Sequence, residues 1–147
     1  MVNWQKVAVE DLRKYMAMKN SLQAMREKRE ALSLQAGAVR SSMRSAEPVS
    51  GSGASGAEDR MVDNIVERER LGYNYAAVKK LVERVEKALA MLNDRERLVL
   101  ERFYINRMPD HIERLCGELG YEKTRVYELK EEALRRFTYA MYGVIDL

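Results

Sequence analysis

Residues 119–137 read "LGYEKTRVYELKEEALRRF" and follow "HIERLCGE" at 111–118. A lone glycine, Gly120, joins the two stretches. Whether 111–137 is one continuous rod or two crossing helices decides the fold. Crossing needs given residue types at given offsets. The leading helix must present a large apolar residue, then a small one where its partner passes. The joint must hold a residue that tolerates a left-handed backbone, which Gly does without steric cost. The trailing helix must anchor itself by two apolar residues three apart, leaving its other flank outward. Leu115, Cys116, Leu119, Gly120, Val126 and Leu129 meet these demands in order, and Ala133, Phe137 and Ala140 prolong the buried side. A plain helical hairpin with a glycine joint shares part of this pattern; the ordered set favours a helix-turn-helix.

Working upstream, "LNDRERLVLERFYINR" at 92–107 predicts a short helix capped by Asn93 or Asp94, with Leu98, Val99, Leu100, Phe103 and Tyr104 as its apolar face. Pro109 and Asp110 open a second helix through Glu118, with Asp110 as its cap. A third runs from Lys123 to Tyr142, where Gly143 stops it. Before residue 93 the rhythm differs. Tyr15, Met18, Leu22, Met25, Leu32, Ala36 and Val39 step by threes and fours, interrupted at Arg29, and Trp4, Val7 and Leu12 continue that face upstream. Leu71, Tyr75, Val78, Val82, Val85, Leu89 and Leu92 step likewise. These are heptad seams. An antiparallel hairpin within the chain satisfies both, as does pairing between chains. The expected fold is therefore all-α: a long N-terminal helix at 1–45, a flexible Gly/Ser loop at 46–57, a second long helix at 58–92, and a helix-turn-helix domain at 93–147. The two long helices form a coiled-coil-like hairpin.

Composition narrows the function classes. The chain has 147 residues, one Cys and one His. That excludes an intrachain disulfide framework and a Cys-rich zinc site, and it disfavours a His-based relay. Cys116 reads as the small buried residue at the helix crossing, His111 as a polar first-turn residue or a phosphate neighbour, and the nine methionines mostly as packing. "SGSGASG" lacks the Lys and the strand-to-helix context of a phosphate loop. Glu131 and Glu132 are adjacent on a helix and diverge. No enzyme, cofactor or metal is expected. No apolar run reaches the roughly 20 residues that span a bilayer, and no signal-peptide pattern is present, so a cytoplasmic protein without membrane contact is expected. Charge is uneven: residues 1–45 hold nine Lys/Arg against four Asp/Glu, while 93–147 hold ten against eleven.

Residues 92–138 resemble region 4 of primary bacterial sigma factors. There a Leu-Gly turn leads into a helix of the form Arg-Ile-Arg-Gln-Ile-Glu, then Ala-Leu-Arg-Lys-Leu. Arg125, Val126, Tyr127, Glu128, Leu129 and Lys130 stand at the first of these, and Ala133, Leu134, Arg135, Arg136 and Phe137 at the second. "LNDRERLVLERFY" is similar to the helix that precedes them. The whole chain, with its early Trp, the "EPVSGSG" break and the ending "YAMYG", resembles phage and prophage sigma-like late regulators of the ArpU/RinA type. The resemblance implies sequence-specific binding to double-stranded DNA and regulation of late genes in a bacterial host cell. It implies Lys123, Thr124, Arg125, Tyr127, Glu128 and Lys130 as DNA-contacting residues, with RNA polymerase and a second copy of the chain as further partners. Glu122 stands where the family has Ser or Thr; its carboxylate can still cap the helix but repels phosphate. From His111 to Phe137 there are six basic and six acidic residues, so useful affinity is expected to need dimerisation or docking on polymerase. Two other classes fit the pattern: a small-terminase-like DNA packaging adaptor, and a polymerase-docking protein without DNA binding.

Overall fold

The computed structural model describes residues 1–45 and 53–144. Every regular element among them is helical: α1, Trp4–Ser45; α2, Gly53–Ala90; α3, Asp94–Leu100; α4, His111–Leu119; and α5, Lys123–Tyr142. A π-helical turn, Glu101–Ile105, follows α3 directly. No strand occurs among the described residues. Of the expected loop, 46–52 lies outside them, but 53–57 is helical because α2 begins at Gly53. Extending an existing helix fixes one residue per new hydrogen bond, so α2 runs through a Gly-containing stretch that could not nucleate one.

The chain divides into two compact units, Met1–Met18 with Lys80–Leu147, and Lys19–Lys79. The division falls inside the two long helices and not at Asn93, where the sequence changes rhythm.

In the unit of 19–79, α1 and α2 run antiparallel. Asn64 Nδ2 donates to the Leu32 carbonyl at 2.8 Å, and Arg26 Nη2 donates to the Tyr75 hydroxyl at 2.7 Å. Lys28 Nζ lies 3.5 Å from Glu67 Oε1. Ala36 and Leu71 are buried, and Leu22, Met25, Leu32, Val39, Tyr75 and Val78 are half-buried, as the heptad stepping requires. Arg29, which interrupts the seam, reaches Gly72: a Cβ there would stand 3.6 Å from the Arg29 guanidinium carbon, an ordinary contact distance. Asn64 is the buried polar exception, and its Oδ1 has no hydrogen-bond partner.

The other unit has a fuller interior. Ala8, Leu12 and Tyr15 of α1, Val82, Val85, Ala88 and Leu92 of α2, and Ala133, Leu134, Phe137 and Met141 of α5 are all buried. The two ends of the chain's helices meet directly. The Tyr142 hydroxyl hydrogen-bonds Asp11 Oδ2, the Trp4 ring stacks tilted on Tyr142 at 4.9 Å, and Arg84 Nη2 donates to the Met141 carbonyl at 3.0 Å. Burial, reinforced by Asp11, pushes the Tyr142 phenol up to about 12. Asn93 caps α3 in a reciprocal box: its side chain accepts from the Glu96 amide at 2.9 Å, while Glu96 Oε1 accepts from the Asn93 amide at 3.2 Å. Glu96 is buried, and Arg136 Nη1 at 3.2 Å balances its charge.

Candidate functional site

α4 stops at Leu119 because Gly120 adopts φ +69°, and its amide donates back to the Cys116 carbonyl at 2.9 Å. Tyr121 and Glu122 bridge to α5, which starts at Lys123 with its first closing bond from the Val126 amide to the Glu122 carbonyl, 3.0 Å. Leu115 of α4, Val126 and Leu129 of α5, and Val99 of α3 form one buried cluster. Leu98, Phe103, Cys116, Leu119 and Tyr121 pack around it. Cys116 is half-buried, so the small residue at the crossing lines the cluster's edge and not its centre.

Two apolar anchors three residues apart turn one stripe of α5 inward, so the opposite stripe faces out. Lys123, Thr124, Arg125, Tyr127 and Glu128 are all exposed. At 3.6 residues per turn, Thr124, Glu128, Glu131 and Arg135 lie along the middle of the outward flank. Tyr127 borders it on one side and Arg125 on the other, while Lys123, exposed at the first position of the helix, lies further round toward the buried stripe.

The six residues expected to contact DNA are not equally free. Lys123 and Thr124 make no ion pair or side-chain hydrogen bond with another described residue. Arg125 Nη1 lies 3.3 Å from both Glu128 Oε2 and Glu132 Oε1, and its guanidinium stands 5.8 Å from the Tyr121 ring centre. Glu132 first, and Glu128 next, raise its already high pKa, so it is a cation already balanced by two carboxylates. Lys130 is drawn furthest from solvent. Its Nζ sits 2.7 Å from Glu131 Oε1, 5.6 Å from the Phe103 ring centre and 5.9 Å from that of Tyr127. Burial lowers its pKa, but Glu131 and the Tyr104 and Tyr127 phenols outweigh this and hold the ammonium above its ordinary value. Lys130 therefore serves an aromatic group, in which Phe103 also meets His111 edge-on at 4.9 Å.

Two expected caps are absent. The Glu122 carboxylate makes no capping hydrogen bond at the start of α5, and Asp110 makes none at the start of α4. Asp110 sits instead in the left-handed region, φ 58°, where its side chain does not reach the first-turn amides. Two residues join the site without a signal in the sequence. Arg95 Nη1 donates to the Tyr121 hydroxyl, and its guanidinium lies 5.5 Å from that ring centre. The pair joins the site through Tyr121, whose ring the Arg125 guanidinium also approaches, across 26 residues of chain, a separation that local pattern does not cross.

Among the described residues no group of three or more His, Cys, Asp or Glu side chains is arranged to hold a metal ion, and no helix is long and apolar enough to cross a membrane. The geometry defines an all-helical protein that presents one flank of a helix to solvent. No family model matches the chain, and neither curated proteins nor solved structures give a match.

Proposed function

We propose that α4 and α5 form a helix-turn-helix, that the outward flank of α5 enters the major groove of double-stranded DNA, and that the protein is a sequence-specific transcription regulator of the phage or prophage late-gene kind. The observation that carries this reading is the split of α5 between a buried stripe, with Val126 fully buried, and the exposed Lys123, Thr124, Tyr127 and Glu128 beside it. The N-terminal turns of a recognition helix are those that reach base edges. Thr124 offers a methyl and a hydroxyl to a thymine or an adenine edge, and Glu128 accepts from a cytosine amino group. Lys123 supplies a phosphate or guanine contact. Arg125 is released to DNA only by exchanging Glu128 and Glu132 for phosphate, so its net gain is smaller. The reaction is binding alone; no catalytic group is involved.

A second reading, a protein that docks on polymerase without touching DNA, is favoured by one observation: three carboxylates, Glu128, Glu131 and Glu132, crowd the same flank. Selection of duplexes from a random pool by the full chain, followed by gel shifts of the enriched duplex at two salt concentrations, separates the two. DNA recognition gives an enriched motif, and Lys123→Glu weakens binding to every sequence by about tenfold and flattens the salt dependence by about one counterion. Thr124→Ala relaxes the motif at one position. No enrichment, or an affinity unchanged by Lys123→Glu, overturns the DNA reading.

A further inference from the structure

The seam of α2 faces α1, but the same helix carries a second apolar stripe that nothing described covers. Val62 is 57% exposed, Val66 58% and Tyr73 78%, and Ala77, Glu69 and Arg70 are also exposed. These six residues are spaced by steps of three or four on either side of the adjacent Glu69 and Arg70, and they share one helical face. All lie within the unit of 19–79. Their order is symmetric about the point between Glu69 and Arg70. Folding the stripe back on itself there places Val62 against Ala77, Val66 against Tyr73, and Glu69 against Arg70.

That symmetry selects an occupant. An antiparallel second copy of α2, related by a two-fold axis through this point, meets large residue with small, valine with tyrosine, and carboxylate with guanidinium, each contact occurring twice. A parallel copy sets Glu69 on Glu69 and Arg70 on Arg70. We infer that this stripe is a self-association surface and that its partner is a second copy of the chain, packed antiparallel through α2. Arg70 keeps its own Glu67, whose two oxygens it holds at 2.7 and 3.1 Å, and that pair stiffens the guanidinium for the approaching Glu69. Six side chains per copy make an interface below the roughly 1,200 Å² of stable complexes, so the dimer is transient and concentration-dependent.

Sedimentation velocity of the full chain over a concentration series reaching several hundred micromolar tests this. The expected result is a monomer–dimer equilibrium that Glu69→Arg weakens at least about tenfold, and that the double change Glu69→Arg with Arg70→Glu restores, because the swap regenerates opposite charges across the axis. All these positions are exposed, so circular dichroism should be unchanged throughout. Under mild oxidation Val66→Cys with Tyr73→Cys should cross-link into a dimer, while neither single variant does so at these positions. A monomer at every concentration, a dimer indifferent to Glu69→Arg, or cross-linking of the Val66→Cys single variant through residue 66 overturns the proposal; the last would mark a parallel pair.

Discussion

The unit formed by 1–18 and 80–147 and the unit of 19–79 use the same residue types to different effect. In the first, Leu12, Val85, Val99, Leu100, Leu115, Val126 and Phe137 lose essentially all contact with solvent. In the second, the only buried side chains among the described residues are Ala36, Asn64 and Leu71. Two helices side by side hide only what faces the partner, so most apolar residues on the seam stay half wet at their margin, Ala36 and Leu71 being the exceptions. Short helices crossing at several levels enclose residues on every side. Hydrophobic stabilisation follows the area removed from water, so the first unit rests on its interior. The second leans on cross-helix polar ties such as Arg26 with Tyr75 and Asn64 with the Leu32 carbonyl.

The largest effect should come from the enclosed interior. Phe137→Ala should cost about 3–5 kcal/mol, against about 2 kcal/mol for Leu71→Ala on the seam, where solvent can relax into the gap. Urea unfolding followed by circular dichroism measures both, and equal costs would break the comparison. Next comes the joint between α4 and α5. A Cβ at Gly120 meets nothing within 4 Å, so Gly120→Ala pays only the left-handed backbone cost of about 1–2 kcal/mol, and Gly120→Asn should pay less. A thermal melt that separates the two variants sharpens the claim that backbone conformation, not packing, sets this residue. The smallest effect concerns the uncapped start of α5. Glu122→Ser should gain about 0.5–1 kcal/mol by supplying the missing cap. If the flank is a DNA surface, the same change should tighten duplex binding by removing a carboxylate from it; a stabilised variant with weaker binding would count against that surface.

Much of this was legible in the sequence where the determinants are local. The seam positions from Tyr15 to Val39 and from Leu71 to Leu92 are all buried or half-buried apart from the expected break at Arg29. The Val126–Leu129 anchor, the Asn93 cap and both glycine stops follow from offsets of three or four residues and stand where the pattern put them. What stayed hidden depends on distant partners. Asp11 and Tyr142 are 131 residues apart in the chain, so no periodicity could assign the first turns of α1 to the same unit as α5. Lys130 reads as a free cation on a helix face until Phe103 and Tyr127 are seen beneath it. The π-helical turn, with the Asn106 amide donating to the Glu101 carbonyl at 2.7 Å, leaves no mark in an apolar stretch that suits an ordinary helix equally well.

The union of Trp4 and Asp11 with Tyr142 carries a consequence for biogenesis. Trp4 and Asp11 must wait until the last turn of α5 has been made before Tyr142 exists as their partner, while the intervening antiparallel pair can form earlier from neighbouring sequence. During translation Trp4 and Asp11 remain without Tyr142. Slow or interrupted synthesis near residue 140 would therefore leave the Trp4 ring without its aromatic partner and open to chaperones.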